Sequence, residues 1–309
     1  MAAMIPLRRV VDLMIAGEAF DDFVFYGLDR LPTDGEEIKT SQFARSPGGG
    51  AVITSVAAAR LGLACGVITA IGADGARLLR AEGVRVRDLL RRGEAPAITV
   101  ALSTRRDRSF VTFSGVNDRL SPRVRHALAA LRARHLHLAL NPCPCRPWLS
   151  VLASLRRRGI ATSWDFGWNP EAARDAHFWT LVGALDYVFL NRDEALSYAG
   201  AGNLNKAFDR WRRTPHLVVV KLGADGSRIV GAGVDVRSPA PPTRVVDTTG
   251  AGDAFNAGFL AGRLRGQSLH AALRLGNRVG ALSTRRAGGI AGLPRLTVLK
   301  RGTAPFSTS

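Results

Sequence analysis

From residue 121 onward the chain alternates apolar strands with helices, and no other feature of the sequence restricts the fold as much. Ser121-Pro122 supplies a cap and a first-turn proline for a helix. The pattern then predicts strands over 135–140, 160–165, 187–190 and 217–222, with helices over 147–158, near 175–183, from 192 and over 204–213. Parallel strands need crossovers, so this rhythm predicts a mostly parallel sheet with helices on both faces, a three-layer α/β/α core. Ligands in such folds bind beyond the carboxyl ends of the strands. Three strand ends carry polar candidates there: Asp165, Asn191 and Lys221. His135 and His137 alternate on one strand with no further ligand types nearby, and read as core or surface histidines rather than metal ligands.

The stretch Asp247-Thr248-Thr249-Gly250-Ala251-Gly252-Asp253-Ala254-Phe255 reads as a turn between a strand end at Arg244-Val245-Val246 and a helix over 254–264. Gly250 and Gly252 let the backbone approach a ligand without a Cβ. The amides of Gly250, Ala251 and Gly252 would then face outward at a helix N-terminus, where unpaired donors favour an anion. A carboxylate in that place repels phosphate. It makes sense if Asp253 takes the proton of a hydroxyl attacking a phosphoryl group while the amides absorb the developing charge. The spacing equally fits an aspartate that caps a helix. No Gly-x-x-x-x-Gly-Lys-Ser/Thr loop occurs, which argues against a Walker-type kinase.

Other segments predict what surrounds such a site. A buried strand over 10–17 leads into Glu18 and Asp21-Asp22. Asp22 is a candidate for holding substrate hydroxyls or a plain turn carboxylate, and Asp21 could share the role. Ser46-Pro47-Gly48-Gly49-Gly50 opens a small-residue helix over 51–61 closed by Gly62, and its glycines leave bare backbone for a ligand. Segments 23–26, 36–43, 97–103 and 109–113 read as strands that do not alternate with helices, so they cannot belong to the parallel core. Drawn from about 20–45 and 97–114, they predict a small β-lid that excludes water from the reaction. Its charged tip is Arg105-Arg106-Asp107-Arg108. Asn191 and Glu194 lie one helical turn apart, which suits a shell around hydrated Mg²⁺ and phosphate oxygens or, equally, a capping box. Lys221 sits where a point charge could meet nucleotide phosphates. Asp165 lines the acceptor or serves a turn. The tail from residue 301 reads as loosely held.

Composition narrows the partners. At 309 residues the chain can bury a substantial core, and 46% hydrophobic with 22% charged residues is ordinary for a globular protein. No apolar run reaches the roughly 18 residues of a membrane helix, and no signal-peptide pattern opens the chain, so the expectation is a cytoplasmic protein with no membrane partner. The net charge of +18 is almost all arginine, spread along the chain without interleaved aromatics, which argues against nucleic acid as a partner. Of the three cysteines, Cys143 and Cys145 form a Cys-x-Cys pair between prolines; without a second ligand pair it reads as a loop rather than a metal site.

The 247–255 stretch resembles, without gaps, the C-terminal signature of the ribokinase-like (PfkB) carbohydrate kinase family. Gly48-Gly49 with the run 56–62 resembles that family's N-terminal di-glycine motif, Asn191-x-x-Glu194 its Asn-x-x-Glu element, and Lys221 to Gly226 its nucleotide-side loop. The resemblance implies one ribokinase-like domain over 1–309 that moves the γ-phosphate of ATP to a hydroxyl of a sugar or nucleoside. Asp253 is then the base, and the amides of Gly250, Ala251 and Gly252 are the anion hole. Asp22, Gly48, Gly49, Gly50 and Asp165 fall to the acceptor; Asn191, Glu194, Lys221, Gly223, Gly226 and Asn277 fall to ATP. Mg²⁺ goes to Glu194, with a monovalent cation as a further candidate and a homodimer through the lid. The sequence departs from the family at Ile53, where an Asn usually donates to sugar hydroxyls, and this favours an acceptor with an apolar part such as a nucleoside. A sugar- or nucleotide-sensing protein that kept the fold without the chemistry is the competing class.

Overall fold

The computed structural model describes residues 10–104 and 108–301; most of the lid's charged tip and the tail beyond 301 lie outside the described residues. Thirteen strands are present among these residues: β1 (Val11–Gly17), β2 (Phe20–Leu28), β3 (Phe43–Gly48), β4 (Cys65–Thr69), β5 (Arg85–Asp88), β6 (Ile98–Thr104), β7 (Arg108–Phe113), β8 (Ala133–Ala139), β9 (Ala161–Asp165), β10 (Tyr187–Asn191), β11 (Leu217–Lys221), β12 (Ser227–Gly231) and β13 (Val234–Ser238). Nine of them form one sheet in the order β13-β12-β11-β10-β9-β8-β1-β4-β5. From β11 to β5 every neighbouring pair is parallel, while β12 and β13 add an antiparallel edge.

The described chain enters this sheet at β1, in its interior. It moves outward through β4 and β5, then returns to build β8 onward on the other side of β1. That reversal between β1 and β8 opens a crevice at their carboxyl ends. Alternate residues divide the core in two. Met14, Leu138, Val188 and Val220 pack with the helices Leu120–Leu128, Arg146–Arg157 and Leu204–Trp211. Leu13, Ile15, Phe189 and Val219 face the opposite layer, built on Gly50–Arg60, Ala251–Leu264 and Leu269–Ser283. This is the period of two expected of strands buried on both sides.

The other four strands form a separate sheet, ordered β3-β2-β6-β7, with β2 and β6 parallel and the outer pairs antiparallel. Two predicted strands are not formed. Residues 36–42 are irregular: Glu36 folds back onto Arg30 and Thr33, and pairing with β2 resumes only at Phe43. Residues 244–246 are also irregular; Val246 and Asp247 donate their amides to Thr284 O at the end of Leu269–Ser283. Four strands were not predicted: β3, which meets the predicted 36–43 only at Phe43, β5, whose sequence is charged at three of four positions, and the hairpin β12–β13.

Candidate active site

Strand register lines up the polar strand ends. Gly17 pairs with Ala139, Ala139 with Asp165, and Asp165 with Phe189; two residues on, Asn191 pairs with Lys221. The helix Ala251–Leu264 arrives over this row. Its cap is Gly250 at φ 71, a left-handed backbone that a side chain would strain, and a Cβ there would stand 2.6 Å from Ile53 Cδ1. Asp247 shapes the turn that precedes it. One carboxylate oxygen accepts from Thr249 N (2.8 Å) and Thr249 Oγ1 (2.7 Å), the other from Gly288 N (2.8 Å).

Asp253 lies in the first turn of that helix, half-buried, and no side chain among the described residues donates to its carboxylate. It therefore does not cap the helix. A Cβ at Gly50 would stand 3.1 Å from Asp253 Oδ1, which places the carboxylate directly over the glycine run before Gly50–Arg60. Burial, then repulsion from Asp165 and Glu194, pushes the Asp253 carboxyl up to about 7, with Lys221 opposing.

Lys221 is the hub beneath it. Its Nζ forms an ion pair with Asp165 Oδ2 at 2.6 Å and lies where a Cβ at Gly252 would approach it to 3.1 Å, so the ammonium backs the turn amides. Burial disfavours the ammonium, but Asp165 and Glu194 outweigh that and hold it above its usual range. For Asp165, burial raises and Lys221 lowers; the ion pair and the Asn256 hydrogen bond (2.7 Å) leave it below the ordinary carboxylate range. Glu194 is 4% exposed and is pushed up to about 7, mainly by burial and then by Asp165. Three carboxylates share one ammonium here, an excess of negative charge that a cation would relieve.

Several predicted residues have definite structural partners. Asn191 and Glu194 form the capping box: Asn191 Oδ1 accepts from Glu194 N (2.8 Å) and Glu194 Oε2 accepts from Asn191 N (2.7 Å). Asn277 donates to Ser238 O (2.9 Å) and Pro239 O (3.2 Å), clamping the chain after β13. Gly226 abuts the same segment, since a Cβ on it would stand 2.1 Å from Ser238 O. Gly223 opens the turn between them, and Arg192 ties Asp225 of that turn to the β10 end at 2.5 Å. Asp165, read as lining the acceptor or serving a turn, faces Lys221 and Asn256 through one oxygen and accepts from Gly167 N (3.3 Å) through the other.

On the β1 side, Asp21 and Asp22 point to opposite faces of β2. Asp21 is held by Arg45 at 2.5 Å. Asp22 lies against Gly48, where a Cβ would come within 1.7 Å of its Oδ2, and burial followed by Asp21 pushes it up to about 7. Gly49 (φ 91) is pressed against Glu18 O and Phe20. Sequence reasoning gave no role to Asn256, nor to Asp247 within the stretch it singled out. Asn256 carried a signal, the one polar residue in the apolar run 254–262, and it is fully buried.

The family profile described as pfkB family carbohydrate kinase matches residues 11–296. A ribokinase of Bacillus subtilis (strain 168) is 29% identical over 274 residues, covering 86% of this chain and 90% of its own length. A nucleoside kinase of Methanothermobacter thermautotrophicus is 26% identical over 307 residues, covering 96% of both. Among solved structures, an Arabidopsis thaliana ribokinase complexed with ribose and ATP superposes with a TM-score of 0.75 at 21% identity, over 94% of this chain and 98% of that one. At that identity the likeness establishes the ribokinase-like fold. No helix among the described residues is long and apolar enough to cross a membrane.

Proposed function

The chain belongs to the pfkB family of carbohydrate kinases, and from that premise we propose that it moves the γ-phosphate of ATP to a hydroxyl of a sugar or sugar-like small molecule. One observation carries this reading: a carboxylate without a side-chain donor, raised to about 7, stands at the N-terminus of Ala251–Leu264 beside backbone that no Cβ crowds. A carboxylate with that proton affinity is tuned for general-base work near neutral pH. The acceptor O–H gives its proton to Asp253 as the new O–P bond forms and the bond to the ADP oxygen breaks. The amides of Gly250, Ala251 and Gly252, with Lys221 behind them, stabilise the charge on the transferring group. Asp22 with Gly48, Gly49 and Gly50 holds the acceptor. The β2-β3-β6-β7 sheet covers it as a lid.

The excess negative charge around Lys221 suits Mg²⁺, which keeps most of its water and needs few direct ligands. Glu194 and Asn191 would hold it through that water shell. When bound with ATP the ion neutralises phosphate charge. The capping box takes the single amide oxygen of Asn191 and one oxygen of Glu194, which leaves the second Glu194 oxygen for the ion's water shell and the Asn191 amide N–H for a phosphate oxygen. Asp165 pairs with Lys221 and so fixes where the ammonium stands. Gly223 and Gly226 shape the loop there, and Asn277 steadies its far wall.

The face of the second sheet opposite Asp22 collects Phe23, Phe43, Val100, Val111 and Phe113; Phe43, Val111 and Phe113 are 48%, 69% and 57% exposed. Such an apolar patch fits a second copy of the chain docking lid to lid. A nucleoside acceptor is the second reading, favoured by the apolar Ile53 and by likeness to a nucleoside kinase over nearly the whole chain. A panel of sugars, sugar acids and nucleosides, each scored for acceptor-dependent ADP release and for phosphorylated product, tests both. Turnover with a sugar supports the first reading, and turnover with nucleosides alone replaces it by the second. ATP binding with no turnover across the panel would make the chain a sensing homologue.

A further inference from the structure

Away from the network around Asp253, two loops meet above the carboxyl ends of β8 and β9. Residues 140–145 form one and 166–177, which include the 3-10 turn Pro170–Arg174, the other. Cys143, Cys145 and Asp175 converge there, each offering one ligand atom, and the three atoms lie within 4.8 Å of one another. We propose that Cys143, Cys145 and Asp175 form a binding site for a thiophilic divalent cation of the zinc class, which would cross-link the two loops.

The donor set suits such an ion. Two sulfurs and a carboxylate oxygen are ligands that zinc takes in tetrahedral sites, whereas Mg²⁺ and Ca²⁺ take oxygen. The ligands are also held in place. Asp175 accepts from Cys145 N through one oxygen (3.0 Å) and from His177 N through the other (2.8 Å), so its carboxylate is oriented by main chain, as ligating carboxylates are. Cys143 N donates to Asn141 Oδ1 at 2.8 Å, and the same oxygen accepts from Asn169 Nδ2 at 2.7 Å, which already ties one loop to the other. Cys145 stands at the N-cap of the helix Arg146–Arg157 and is fully buried; Cys143 and Asp175 are half-buried, so the cluster has a closed floor and a side open to solvent. His177 Nδ1 stands 3.7 Å from Asp175 Oδ1 but outside the group of three, which leaves the fourth position to water.

Without metal the site is filled by protons. Burial raises both thiols above their ordinary range, and a hydrogen bond joins them. Metal entry exchanges two S–H bonds for two S–metal bonds and releases two protons to solvent. Sequence spacing could not reveal this arrangement, because the third ligand lies 30 residues beyond Cys145. Cys65 supplies an internal control: it is buried elsewhere, with its Sγ 3.3 Å from Ser55 O.

The test uses the full chain, reduced and stripped with chelator, then dialysed against Zn²⁺ and analysed for metal per chain. One equivalent is expected in the native chain and in Cys65→Ser. Cys143→Ser and Asp175→Asn should weaken binding by at least about 100-fold, since loss of even an outer-shell partner costs ~10–100-fold. Zn²⁺ should raise Tm in the native chain and leave Cys143→Ser unmoved. Co²⁺ added to the native chain should give a thiolate-to-metal charge-transfer band, a readout that needs no variant to fold. No such band, or equal zinc binding by Cys143→Ser, overturns the proposal.

Discussion

The two halves of the crevice are built differently. On the β9–β11 side Asp165, Lys221, Glu194, Asn256 and Asp253 form one connected network, in which each charge has a neighbour that shifts it. On the β1 side the groups are sparse: Asp22 against Gly48, the bare backbone of Gly49 and Gly50, and Ile53 turned toward the turn at Gly250. The lesson is a division of labour. Phosphoryl transfer makes the same demands on every member of such a family, a base and fixed positive charge. The acceptor side needs only shape and a few hydroxyl partners, and is where members can differ.

The largest effect should come from Asp253→Asn. An amide cannot take the acceptor's proton, so kcat should fall roughly a thousand-fold, within the range for loss of a general base, while ATP binding by calorimetry is retained. Retained turnover would remove the transfer half from the comparison. The same group sets the pH behaviour. The rate should rise through about pH 7 as Asp253 ionises. Stability should move the other way. Asp253 titrates near 3.8 unfolded and about 7 folded, so between those values the folded state binds more protons and its ionisation costs stability as pH rises. Asp253→Asn should therefore stabilise the fold at pH 8 by on the order of 1 kcal/mol, read as a higher Tm, and should flatten the decline from pH 5 to 8.

Next in size is Lys221→Met. It leaves Asp165 charged and buried without its partner, a loss of about 3–5 kcal/mol by analogy with other broken buried pairs. The double variant Lys221→Met with Asp165→Asn should recover most of that in urea unfolding and none of the activity. If activity returns with stability, the ammonium serves the fold alone.

What the sequence showed follows the same division. The strand–helix rhythm after 121 was legible because strands buried on both faces read as unbroken apolar runs. β5 was not, since Arg85-Val86-Arg87-Asp88 is an edge with one apolar residue. The irregular 36–42 segment misled because Glu36 prefers its loop partners Arg30 and Thr33 to a ladder. In the site, Asp253 stood out through local glycine spacing. The Lys221–Asp165–Asn256 network did not, because it joins residues 56 and 91 positions apart and no local pattern records such pairings. Asn191 with Glu194 fitted two readings from the start; the capping box is formed, and it leaves room for the other.

A smaller effect, confined to the acceptor half, is expected of Gly48→Ala. Its Cβ would overlap Asp22 Oδ2, so the carboxylate must swing away from its place. The KM for the acceptor should rise about tenfold or more, as displacement of a positioning group by an ångström can cost that much, with the KM for ATP unchanged. Equal changes in both constants would mean that Asp22 and Gly48 do not distinguish the two substrates.

The smallest and most discriminating change is Ile53→Val. Ile53 is 3% exposed, and its Cδ1 lies where a Cβ at Gly250 or Gly289 would stand 2.6 and 2.7 Å away. The departure from the family at this position thus touches the turn proposed to carry the anion hole. Removing Cδ1 should cost about 0.5–1.5 kcal/mol of stability. If Ile53 acts by bracing the turn, kcat should fall a few-fold by the same factor for every acceptor that turns over, and the preference between ribose and adenosine should stay fixed. If it forms the wall of the acceptor site, that preference should shift with little change in the better substrate's kcat. A fixed preference would take Ile53 out of the case for a nucleoside and leave the choice between sugar and nucleoside to the groups around Asp22; a shifted one would keep it in.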